Sequence, residues 1–186
     1  MSRACIFIDR DGCLIEEVHY LRRLDQVRLT PGVVPALAQA KAAGWTLVMV
    51  TNQSGVARGM FPESFVKETH ELIQRQLQAG NAGLDGIYYC PHHPLGNHPY
   101  RQDCTCRKPK TGMVLTAAQE MGINLQNSYM VGDKLADVQL AHNAGMTGLM
   151  VRTGHGPEDL PLVEQAGLKP LVFDALPQAI AHILAQ

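Results

Sequence analysis

Short apolar runs, separated by stretches of helical periodicity, set the rhythm of this chain. Runs at residues 4–8, 46–50, 86–89, 128–131, 147–151 and 171–173 read as strands, nearly continuous in apolar side chains rather than alternating. Such runs belong to strands covered on both faces. Between them, apolar residues recur at helical spacing over 32–43, 62–79, 111–121 and 135–144, and again over 176–184. Pro31 and Pro62 stand where helices begin, and Gly44 where one ends. The alternation predicts an α/β fold: a three-layer, Rossmann-like, doubly wound and mainly parallel sheet. The 186 residues read as a single domain, long enough to bury roughly 70% of the surface of the unfolded chain.

One segment departs from the rhythm. Residues 90–109 hold four prolines and no apolar periodicity, and a loop that long inside a domain needs something other than a core to hold it. Three of the five cysteines lie there: Cys90, Cys104 and Cys106. With His92 they make a sensible tetrahedral set for structural Zn²⁺, His93 and His98 being spare imidazoles nearby. The predicted result is a zinc-clipped loop over 90–109.

Charge narrows the partners. Sixteen basic residues against seventeen acidic give a net charge of −1, which argues against a nucleic-acid footprint or a polybasic membrane surface. The first apolar run is five residues long and meets Asp-Arg-Asp, too short for a signal or a membrane span. A cytoplasmic monomer acting on a small molecule is the expectation.

Ligands of open α/β sheets bind at the carboxyl ends of the strands, and four polar signatures fall there. The first strand delivers Asp9 and Asp11, the second Thr51, Asn52, Gln53 and Ser54, the proline-rich loop Arg107 and Lys108, and the fourth Asp133, Lys134 and Asp137. Any one alone suits a turn, a helix cap or a solvated pair; four on one rim read as a phosphoryl-transfer site. Asp9 is placed as nucleophile and Asp11 as general acid and base. Carboxylates this close need a cation, so Mg²⁺ is expected on Asp9, Asp11 (also through its main-chain carbonyl) and Asp133, with Asp137 behind them. Thr51 and Lys108 are placed to donate to the phosphoryl oxygens in the transition state.

Asp9-x-Asp11-Gly12, Thr51, Lys108 and Gly132-Asp133-x-x-x-Asp137, in this order, resemble the four motifs of haloacid-dehalogenase-superfamily phosphatases over the whole chain. Cys13 stands where that family usually has Thr. The intervals from Asp11 to Thr51 and from Thr51 to Lys108 are too short for the separate cap domain of many members, so the loops 16–23, 55–61 and 90–109 must supply specificity.

The zinc loop, the absent cap and the stretches around 51–59, 88–94 and 106–109 are similar to the sugar-bisphosphate phosphatases of that superfamily. This resemblance implies a sugar bisphosphate as substrate, with contacts from Glu17, Val18, His19, Tyr20, Asn52, Gln53, Ser54, Arg107 and Lys134. Arg107 is suited to fork onto the phosphate that is not cleaved. Histidinol-phosphate phosphatase is the nearest alternative, although its second motif usually carries Asp where Ser54 stands. A zinc-stabilised interaction module without chemistry is a remoter one, since every reacting residue type is present.

Overall fold

The computed structural model describes residues 3–186. Six strands, β1 (Cys5–Ile8), β2 (Thr46–Asn52), β3 (Gly86–Cys90), β4 (Tyr129–Gly132), β5 (Thr147–Val151) and β6 (Leu171–Phe173), form one sheet of order β3-β2-β1-β4-β5-β6. Every pairing is parallel. The helices are α1 (Val33–Ala42), α2 (Glu63–Gln78), α3 (Gly112–Met121), α4 (Leu135–Ala144), α5 (Gly156–Gln165) and α6 (Leu176–Leu184).

The period of two along each strand sends alternate side chains to opposite faces. Ile6, Ile8, Leu47 and Met49 pack with Leu37 of α1, Ile73 of α2 and Ile180 of α6. Phe7, Val48 and Val50 pack on the other face with Val114 of α3 and Leu140 of α4. Each large side chain buried this way contributes about 1.5–3 kcal/mol of transfer free energy, so the three-layer arrangement follows from two apolar faces needing cover.

Helix α5 lies outside the predicted elements. It opens on Gly156-Pro157 and carries Pro161 inside, both of which read as breakers. Pro157 sits in the first turn, where its missing N–H would be unpaired anyway, whereas Pro161 lies inside the helix and removes the bond to the Pro157 carbonyl. Strands β2 and β3 outrun their apolar runs because the ladder continues through Thr51↔Tyr89 and Asn52↔Cys90; backbone pairing, not side-chain character, ends a strand.

The chain leaves β1 toward β2 and β3, then returns to place β4 on the other side of β1. The crevice outside the ends of β1 and β4 is therefore the topological switch point, where such sheets bind ligands. Between β1 and β2 lie the 3-10 turn Leu24–Gln26 and α1, and between β2 and β3 only α2. Nothing inserted there covers the crevice among the described residues. Residues 91–111 carry no helix or strand. Among the described residues, no helix is long and apolar enough to cross a membrane.

Candidate active site

Asp9 is the first residue past β1, and its N–H donates to the Val131 carbonyl at 2.9 Å. The β1–β4 ladder thus runs one residue beyond the strand and aims Asp9 into the crevice. Lys108 enters from the cysteine loop: its Nζ donates to Asp9 Oδ1 at 2.8 Å and to the Val50 carbonyl at 3.0 Å. The same ammonium lies 2.6 Å from Asp137 Oδ1. Burial alone would lower its pKa, but the charges of Asp137 and Asp9 outweigh burial and hold it above the ordinary lysine value. Asn52 sets this reach, its side chain accepting from Lys108 N at 3.0 Å and donating to Lys108 O at 3.1 Å.

Asp133 completes the cluster. Its Oδ2 accepts from His155 N at 2.7 Å, while its Oδ1 is buried with no partner. Burial, then the charges of Asp9 and Asp137, push its carboxyl up to about 8. Burial likewise raises Asp137 to about 6 against the opposing pull of Lys108. Oxygens of Asp9, Asp133 and Asp137 lie within 4.8 Å of one another. Three buried carboxylates facing one lysine, one oxygen unpaired, fit a hard divalent cation such as Mg²⁺. Gly12 makes room for this: its φ is +79°, and a Cβ there would collide with the Asp133 carboxylate.

Asp11 turns away from that cluster. Arg10 Nη2 donates to its Oδ1 at 2.9 Å and Gln53 Nε2 to its Oδ2 at 2.9 Å. Burial would raise its pKa, but the Arg10 charge and these bonds hold it below the ordinary value. The Asp11 side chain is therefore not among the clustered carboxylates, and its main-chain carbonyl is what remains for a metal. Gln53 also donates to Thr51 Oγ1 at 2.9 Å, which places Thr51 beside the acid.

A cleft of about 230 Å³ opens next to Asp11 and brings together Glu17, His19, Tyr20, Asn52, Gln53, Ser54 and Lys134. Two expected contacts are elsewhere. Val18 packs against the hydrophobic core, an apolar side chain leaving a polar cleft for apolar cover. Arg107 Nη1 donates to the His92 carbonyl at 3.4 Å and does not line the cleft. Leu21, Gly55 and Phe61 line it from the loops expected to give specificity, and Arg10 and His155 line it without having been expected. Arg10 had a signal in its place between two aspartates; His155 had only its position after β5.

The cysteine loop gathers Cys90, His92, Cys104 and Cys106. Sγ of Cys90 and Cys104 are 3.4 Å apart, Sγ of Cys104 and Cys106 3.3 Å, and His92 Nδ1 is 3.3 Å from Cys106 Sγ. Zn–S bonds of about 2.3 Å put tetrahedral donors about 3.8 Å apart, so these four side chains need only small shifts to hold zinc. His93 turns instead toward Arg58, at 3.2 Å.

A parallel doubly wound sheet with this carboxylate–lysine cluster at its switch point defines a phosphoric monoester hydrolase. The HAD-hydrolase-like family model matches residues 105–179. D-glycero-beta-D-manno-heptose-1,7-bisphosphate 7-phosphatase of Escherichia coli K12 is 46% identical over 155 residues, covering 82% of this chain and 81% of its own. The enzyme of that name from Photorhabdus laumondii is 41% identical over 180 residues, 96% of this chain and 95% of its own. The solved D,D-heptose 1,7-bisphosphate phosphatase of B. bronchiseptica, complexed with magnesium and phosphate, superposes with a TM-score of 0.87 at 33% identity, covering 98% of both chains. The chain belongs to the HAD-like hydrolases and, within them, to the heptose-1,7-bisphosphate 7-phosphatase family.

Proposed function

We propose that the protein removes the 7-phosphate of D-glycero-D-manno-heptose 1,7-bisphosphate, as a cytoplasmic monomer, in the supply of ADP-heptose for the lipopolysaccharide core. The observation that carries this reading is the Lys108 ammonium joining Asp9 to Asp137 opposite the unpartnered Asp133 oxygen. It is supported by relatives of that name matched over most of both chains.

Asp9 attacks phosphorus, the bond to the sugar oxygen breaks, and that oxygen takes a proton from Asp11, leaving an aspartyl phosphate. Water then attacks phosphorus, Asp11 takes its proton, and the bond to Asp9 breaks to release inorganic phosphate. The Arg10 and Gln53 bonds keep the resting Asp11 ionised, so before it can protonate the sugar oxygen it must leave those partners and take up a proton as substrate enters. Thr51 and Lys108 donate to the phosphoryl oxygens as charge spreads over them. Mg²⁺ on Asp9, Asp133 and the Asp11 carbonyl would neutralise nucleophile and phosphate together. Glu17, His19, Tyr20, Ser54 and Lys134 hold the sugar and its remaining phosphate in the cleft. Zinc on Cys90, His92, Cys104 and Cys106 would hold the loop end that delivers Lys108.

Phosphate release from both heptose bisphosphate anomers, fructose 1,6-bisphosphate and histidinol phosphate tests the reading. A heptose bisphosphate should turn over fastest, and only with Mg²⁺. Faster hydrolysis of histidinol phosphate overturns the substrate; equal activity of Asp9→Asn overturns the mechanism.

A further inference from the structure

Glu17, in the loop after β1, and His155, just before α5, meet with His19 at the mouth of the cleft, their ligand atoms all within 4.8 Å of one another. His155 Nδ1 lies 3.0 Å from Glu158 Oε2. A carboxylate only accepts, so Nδ1 carries the proton there. The other ring nitrogen, Nε2, lies 3.5 Å from Glu17 Oε2. A bare imidazole nitrogen and a carboxylate oxygen repel unless a proton or a cation stands between them. A carboxylate behind a histidine, fixing its tautomer and orientation, is how proteins prepare ligating imidazoles. His19 adds a second ring, its centroid 6.4 Å from that of His155.

Two imidazoles and one carboxylate, with a water in the fourth position, suit a borderline cation of the zinc class and not Mg²⁺, which prefers oxygen alone. Lys134 Nζ, 3.7 Å from Glu17 Oε2, is the competing internal cation. A metal here therefore shares Glu17 and binds more weakly than one in the four-ligand cysteine loop. None of the three ligands belongs to that loop or to the aspartate cluster.

We propose that Glu17, His19 and His155 form a binding site for a zinc-class divalent cation, and that a cation bound there obstructs the cleft and inhibits hydrolysis. The inhibitory half rests on the substrate reading above, because Glu17 and His19 are assigned there to the sugar; the binding half does not.

The test uses protein whose cysteine loop is already loaded with zinc, in saturating Mg²⁺, titrated calorimetrically with further Zn²⁺. One additional equivalent per chain is expected, weakened at least tenfold in Glu17→Gln and in His155→Gln. Crystals of the unaltered protein grown with Zn²⁺ should show an anomalous peak among the three side chains, which keeps the test decisive if a variant folds poorly. No additional equivalent, with a proton alone bridging Glu17 and His155, overturns the site, and so does binding unchanged in both variants. Phosphate release should fall in step with occupancy, and undiminished release at full occupancy overturns the inhibitory half. Failure of every sugar bisphosphate to turn over would strike the proposed function while leaving the calorimetric result intact.

Discussion

His70 offers a quantitative test of the packing behind the acid. It lies on α2, 4% exposed, with Nε2 3.3 Å from Arg10 Nη1 and its ring edge-on to Tyr89 at 5.3 Å. A guanidinium only donates, so Nε2 accepts and the ring is neutral. Burial, then the Arg10 charge, push its pKa from 6.5 down to about 3. Between those values the unfolded chain binds more protons than the native one, so stability falls as pH drops through 6.5 toward 3. Linkage puts the loss between pH 7 and pH 5 at about 2 kcal/mol, which for a chain of this size is about 4–8 °C in Tm. His70→Gln keeps an acceptor for Arg10 but cannot titrate. Thermal unfolding of both proteins from pH 7.5 to pH 5, at equal Mg²⁺ and zinc, isolates the term, because metal release at low pH is common to both. The unaltered protein should lose about 2 kcal/mol more than the variant. Parallel pH curves would refute the assignment of a neutral, buried His70. The difference matters for function because Arg10 also holds Asp11.

Lys108→Met removes the cation shared by Asp9 and Asp137 and leaves buried carboxylates uncompensated, at a cost of about 3–5 kcal/mol in metal-free protein. Its phosphate release should drop by at least ~100-fold, and retention of more than a tenth of the activity would contradict the role given to this ammonium. Gly12→Ala drives a Cβ toward Asp133 from a left-handed backbone. Metal analysis should find its zinc unchanged while its Mg²⁺ dependence shifts to much higher concentration; an unaltered Mg²⁺ dependence would count against Asp133 as ligand. Chelating zinc should open residues 91–111 to proteolysis and lower activity, both reversed by adding zinc back. Full activity after complete zinc loss would separate the loop from the delivery of Lys108.

Much was legible in the chain because its strongest signals are local. Continuous apolar runs such as Phe7 and its neighbours can be satisfied only between two layers, so five of the six helices and all six strands follow from periodicity. Asp9, Asp11, Lys108 and Asp133 could be placed on one rim because strand ends in a parallel sheet share a side. Helix α5 was hidden because Gly156 and Pro157 carry breaker chemistry that a first turn tolerates, and because Pro161 removes a bond inside the helix without ending it.

The residue order alone thus decided the fold class and pointed to the carboxylates and the cysteine-loop side chains proposed above, since apolar runs, strand ends and close cysteine spacing are local features. Tertiary structure alone decided which way each side chain faces. Asp11 turns to Arg10 and Gln53 rather than to Asp133, Val18 enters the core, Arg107 bonds the His92 carbonyl, and His155 arrives beside Glu17 from the loop after β5. Those choices rest on Coulomb and hydrogen-bond terms between groups distant in sequence, which no local pattern encodes.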